Sequence, residues 1–96
     1  MTETKMQISF ARSKAGHDKG KHYVVVYEEP EYLYLADGIS RTAEAPKKKN
    51  RKHAQIINRI PAHILEVFTS WDPPSDTEIR RALKLYNLAI EKQEEE

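Results

Sequence analysis

The chain has 96 residues, of which 32% are charged and 39% apolar, with a formal net charge of +1 and no cysteine. That length allows one domain with a short appendage, and the composition is polar for a globular protein yet too apolar for a disordered one. Lack of cysteine excludes a disulfide-stapled scaffold and a Cys-based zinc site, and no segment approaches the ~20 apolar residues of a membrane span.

The first seven residues lack the apolar core of a signal peptide, so a cytoplasmic location is expected. Ile8 and Phe10 alternate with polar Gln7, Ser9 and Arg12, as a short half-buried strand does. Gly16 and Gly20 bracket a polar loop and suit its ends because glycine accepts positive φ. His22 to Tyr27 is β-branched and aromatic without clean alternation, which predicts a central strand covered on both faces over part of its length. Glu28-Glu29-Pro30-Glu31 breaks it, and Tyr32 to Ala36 is a third strand.

Asp37-Gly38 between two β-like runs predicts a type I′ hairpin into a fourth strand, Ile39 to Thr42. Ala43 to His53 reads as a polar loop carrying a Lys/Arg run, and Gln55 to Asn58 as the last strand. Five short strands in about fifty residues predict a mainly β fold, a small barrel that closes its own edges. The period then changes. Pro61 opens a short helix over Ala62 to Thr69, which Trp71-Asp72-Pro73-Pro74 stops. Ser75-Asp76-Thr77-Glu78 is a capping box, and Ile79, Ala82, Leu83, Tyr86, Ala89 and Ile90 follow at helical offsets. The expected division is a barrel over residues 7–59 and a helical extension over 60–96.

Charge is unevenly spread. Residues 1–60 hold twelve Lys/Arg against seven Asp/Glu, a balance of +5, while residues 61–96 hold four against eight, a balance of −4. Residues 41–59 alone hold seven Lys/Arg against one Glu. Such segregation points to a polyanionic partner for the front of the chain, with a merely solvated surface as the alternative.

Gly16-His17-Asp18-Lys19-Gly20-Lys21 leading into the apolar strand Tyr23 to Tyr27, then Tyr34-Leu35-Ala36-Asp37-Gly38 and Ile39-Ser40-Arg41, resembles the KOW motif. The likeness is to the KOW domains of archaeal- and eukaryotic-type large-subunit ribosomal proteins and their short bacterial relatives. It covers roughly residues 7 to 59. It implies an SH3-like five-stranded barrel, followed here by one or two helices, that binds ribosomal or other structured RNA. The family also includes modules of transcription elongation factors that bind protein, so docking of a ribosomal or transcription protein is the alternative. Residues 60–96 resemble no named family.

The candidate RNA-binding residues follow from phosphate chemistry, in which Lys and Arg displace condensed counterions. Arg12, Lys14, Lys19 and Lys21 cluster around the first strand and its loop. Arg41 lies after the Asp-Gly pair, and Lys47, Lys48, Lys49, Arg51 and Lys52 form a basic arm expected to be flexible. His17, among lysines, is a candidate for a phosphate or a base edge. Tyr32 and Tyr34 share one strand face and Leu33 and Leu35 the other. Leucines inside and tyrosines outside is the favoured arrangement, and exposed tyrosines are able to stack on unpaired bases.

Other chemistry finds little support. His17, Asp18 and His22 lack a metal-ligand spacing. Gly16-x-x-x-Gly20-Lys21-His22 has three residues between its glycines where a nucleotide phosphate loop needs four, and lacks the following Ser/Thr. No nucleophile-elbow motif, helical His pair or carboxylate dyad is present, so no catalysis and no cofactor are expected. The apolar stripe of the tail, with Ile64, Leu65, Phe68 and Trp71, either packs on the barrel or forms a docking face.

Overall fold

The computed structural model describes residues 8–69 and 74–94. The fold is mainly β, with a five-stranded antiparallel sheet and a C-terminal helix. The strands are β1 (Phe10–Ser13), β2 (His22–Glu28), β3 (Tyr32–Ala36), β4 (Lys47–Asn50) and β5 (Ala54–Ile57), in the order β4-β3-β2-β1-β5. A short helix α1 (Ala62–Leu65) precedes the long helix α2 (Asp76–Glu94). Trp71 to Pro73, read from sequence as a helix stop, lie outside the described residues.

β2 has the β-branched and aromatic composition that fits a pleated surface, and it sits at the centre of the sheet. Between Val25 and Tyr27 its register against β3 shifts by one residue. Val25 opposes Leu35 and Tyr27 opposes Tyr34, leaving Val26 as the extra residue of a bulge. β3 alternates as expected: Leu33 and Leu35 are fully buried, and Tyr32 and Tyr34 are half-buried on the other face.

The fourth strand is not where the sequence places it. Residues 39–42 form no strand, and the basic run does. A type I′ turn needs positive φ at both central residues, and among the two only Gly38 has it. Asp37 instead accepts hydrogen bonds at Oδ1 from the N–H groups of Ile39 and Arg41, both at 2.9 Å, which closes a compact loop. Lys47 to Asn50 then pairs with β3 through Lys47–Leu35, Lys48–Tyr34, Lys49–Leu33 and Asn50–Tyr32. The arm expected to be flexible is therefore an edge strand, followed by one 3₁₀ turn over Arg51–His53.

That turn bends the sheet. β4 and β5 are the two ends of the strand order, about 19 Å apart in a flat sheet at the usual strand spacing. The four residue steps from Asn50 to Ala54 span at most about 14 Å, so the sheet curls. The edges do not pair, and the sheet stays open. Its concave side holds one apolar cluster, Ala11, Tyr23, Val25, Leu33, Leu35 and Ala54.

The convex side is covered by the helices. Phe10, Val24 and Ala36 of the sheet join Ile60, Ile64, Phe68, Ile79, Ala82 and Leu83 in a second cluster. Phe10 meets Tyr86 of α2 edge-on, with ring centroids 5.1 Å apart. The apolar stripe of the tail thus packs on the sheet. The capping box forms as read: Glu78 N–H donates to Ser75 Oγ at 3.1 Å, and Ser75 N–H to Glu78 Oε1 at 3.4 Å. α1 is shorter than expected, ending at Leu65, although Phe68 beyond it is still buried.

Candidate nucleic-acid interface

The turn between β1 and β2 is built around Asp18. Gly16 and Gly20 take φ of +89° and +90°, and Gly20 N–H donates to the Ser13 carbonyl at 2.8 Å. These bonds fold the loop so that Asp18 turns inward, with its side chain only 12% exposed. Ser13 Oγ and Tyr23 Oη each donate to it at 2.7 Å. Lys47 Nζ donates at 2.6 Å and Lys49 Nζ at 3.2 Å. Lys49 also reaches the Ala15 carbonyl at 3.0 Å. Burial pushes the Asp18 carboxyl up, but the bonds from Lys47, Tyr23, Ser13 and Lys49 together outweigh it and hold the group well below the usual carboxylate range. Burial, followed by the bond to Asp18, pushes the Tyr23 phenol up.

Two stretches that look separate in sequence are therefore one structure. The Gly16–Lys21 loop and the 47–52 run meet at one end of the sheet, and Lys14 N–H donates to the His53 carbonyl there at 2.8 Å. The cost is that Lys47 and Lys49 spend their charge internally. Alternation explains why these two: positions 47 and 49 share a strand face, and Lys48 takes the opposite one.

Two further candidates are also paired. Lys21 Nζ lies 2.6 Å from Asp37 Oδ2, and Arg51 lies 2.8 Å from Glu28 Oε1 at the surface. Burial pushes Asp37 up, but the Lys21 bond and the Arg41 and Ile39 N–H groups hold it well below its ordinary range. What remains is Arg12, Lys14, His17, Lys19, Arg41, Lys48 and Lys52. Each is exposed and takes part in none of the ion pairs among the described residues. Sequence reading missed both internal counter-ions. The available signal was an acid flanked by glycines together with lysines at alternate positions, which becomes visible only once the basic run is read as a strand.

The convex face beyond the helices carries aromatic side chains. The bulge at Val26 turns Tyr27 onto the face of Tyr34, with ring centroids 5.3 Å apart, and Tyr27 stays 59% exposed. Lys48 Nζ sits 4.3 Å from the centroid of the Tyr32 ring. Tyr34 Oη donates to Glu29 Oε1 at 3.1 Å. These tyrosines flank the one basic residue of β4 that points outward.

The Gly16–Gly20 loop leads into a strand, so it offers no helix N-terminus to a phosphate. Among the described residues, no three His, Cys, Asp or Glu side chains are grouped so as to hold a metal ion, and no helix is long and apolar enough to cross a membrane. The chain matches no protein-family model and no curated protein.

Proposed function

We propose that the protein is a non-catalytic RNA-binding protein whose β part is an SH3-like barrel of the KOW type, and that it binds ribosomal or other structured RNA mainly through the phosphate backbone. The observation that carries this reading is the sorting of charge. Asp18 and Asp37 are consumed inside the fold and Glu44 is the one exposed acid of the 41–59 span, while Arg12, Lys14, Lys19, Arg41, Lys48 and Lys52 stay exposed. The strand order, and the single 3₁₀ turn linking its two edges, support the barrel assignment. The rival reading is docking of a ribosomal or transcription protein through the barrel and the C-terminal helix, and its helix part is weakened because Ile79, Ala82 and Leu83 are already buried against the sheet.

The test is binding to a structured RNA across a salt series. Affinity should fall steeply with salt, and replacing Lys14, Lys19, Lys48 and Lys52 by Ala should lower the log–log slope by roughly one for each phosphate no longer neutralised. A flat salt dependence, or an unchanged slope in the variant, overturns the reading.

A further inference from the structure

A cleft of about 500 Å³ lies on the convex side, where α2 crosses the ends of two β turns. One wall is the end of the β1–β2 turn, Lys21 and His22, and another is the loop after β3, with Asp37 and Ile39. The third is one side of α2, including Leu83, Lys84, Asn87 and Leu88. Its apolar surface is unusual for an exposed site: Ile39 is 74% exposed and Leu88 50%. Among the described residues they are two of the three large hydrophobic residues that stand most open to solvent, and both line this one cleft.

The charge around it is mostly positive. Arg80 and Lys84 line the cleft, with Arg80 donating to the Gly38 carbonyl at 2.8 Å and Lys21 taken up by Asp37, and Arg12 lies near enough to act on His22. The single acid in the lining, Asp37, is held by Lys21, by Ser40 and by two backbone N–H groups. The acids at the start of α2 are engaged elsewhere, Asp76 by Ala43 N–H and Glu78 by Ser75 and Thr69. Lys84 is exposed and takes part in no ion pair among the described residues. Although α2 belongs to the acidic half of the chain, the part of it that borders the cleft is basic.

A ligand for this site needs a flat or apolar part for Ile39 and Leu88, an anionic part for Lys84, and edges for a few hydrogen bonds. Burial and then Arg12 lower the pKa of His22, its hydrogen bond with Asn87 raises it by less, and the Asn87 amide keeps further donor and acceptor capacity for a ligand. The volume is at the lower end of the range of small-molecule sites, enough for one nucleotide but not for a duplex. We propose that the cleft takes a single unpaired nucleotide of the bound RNA, its base against Ile39 and Leu88 and its phosphate at Lys84. This rests on the RNA-binding reading and adds to it a preference for RNA with an extruded base. α2 thereby becomes part of the RNA surface.

The experiment compares two hairpin RNAs of identical stem, one fully paired and one with a single-nucleotide bulge, against the full chain and two variants. Lys84→Ala/Leu88→Ala alters exposed positions of α2, and thermal melting checks that it remains folded. Lys48→Ala/Lys52→Ala alters basic residues that do not line the cleft. The wild type should bind the bulged RNA about tenfold more tightly than the paired one, the scale expected when roughly 60 Å² of apolar surface leaves water. The Lys84/Leu88 variant should lose that preference while keeping its affinity for the paired hairpin, and the Lys48/Lys52 variant should weaken on both RNAs and keep the preference. Equal binding of the two RNAs by the wild type overturns the subsite and leaves the RNA-binding reading intact, as does a Lys84/Leu88 variant that keeps the preference. Binding to neither RNA overturns both.

Discussion

Lys47 and Asp18 are 29 residues apart in the chain and 2.6 Å apart in space, and this ion pair joins the β1–β2 turn to the edge of the sheet. Asp18 also accepts from Lys49, Tyr23 and Ser13, so one carboxylate fixes four side chains from three strands. Removing its charge takes the counter-ion from two ammonium groups and weakens the acceptor for two hydroxyls, although Lys49 and Ser13 keep the Ala15 carbonyl at 3.0 Å. Asp18→Asn should destabilise the fold by about 2 kcal/mol at pH 7, less than for a fully buried pair because Lys47 can turn to water. Chemical denaturation measures this.

The same carboxylate sets an acid limit. Asp18 and Asp37 are both held below the unfolded value of about 3.9, so the unfolded chain binds more protons than the folded one in acid. Their contribution is whole above about pH 5 and is lost as pH falls through 4 toward the depressed folded-state values. Stability measured from pH 6 down to pH 2 should therefore fall, and the fall should be shallower in Asp18→Asn. A variant curve parallel to the wild type would refute the assignment.

Neighbouring lysines of β4 should behave oppositely. Lys49→Ala removes a bond to a buried carboxylate and should lower the melting temperature by several degrees, as a loss of about 1–2 kcal/mol does in a domain this small. Lys48→Ala gives up only an exposed cation–π interaction and should shift it by about a degree or two. On the RNA-binding reading the order reverses for affinity at low salt, where Lys48→Ala should cost more.

Gly38 is where the loop after β3 touches α2. A Cβ there would lie 2.6 Å from the Asp76 carbonyl oxygen and 2.7 Å from Arg80 Cγ, on a backbone with φ of +81°. Gly38→Ala should cost at least about 2 kcal/mol, from the strained φ and the displaced helix together. Amide hydrogen exchange should show α2 losing protection before the central strands.

Deleting residues 75–96 would uncover Phe10, Val24 and Ala36, which α2 buries. Losing the cover from Phe10 alone compares with a large-to-small core substitution of about 3–5 kcal/mol, a large part of a small domain's stability. The shortened chain should lack the dispersed amide spectrum of the full one. A folded truncated chain would show that the sheet stands alone.

How much of this the sequence made legible depends on whether the cause was local. β3 was readable to the residue because Leu33 and Leu35 alternate with Tyr32 and Tyr34. The α2 start was readable because the Ser75–Glu78 cap is complete within four residues. β4 was not, since Lys-Lys-Lys-Asn has no apolar alternation and is held by β3 and by an acid 29 residues away. The Asp37-Gly38 signal misled because the Asp37 side chain outcompetes the hairpin for Ile39 N–H and Arg41 N–H. For the site, counting found the cations but not which of them were already spoken for. The role of α2 in the cleft was hidden by averaging its charge over the whole tail.

The basic edge strand has a consequence that needs no ligand. An open sheet ends in unpaired backbone groups, and a flat, apolar edge invites a second molecule to add a strand. Here β4 is four residues long, carries three consecutive lysines and turns two of them inward to a buried acid. A second copy laid alongside would bring like charges together and would have to break the Asp18 cluster to flatten the edge. Substituting Val for Lys47 and Lys49 would therefore remove a guard against self-association as well as two ion pairs.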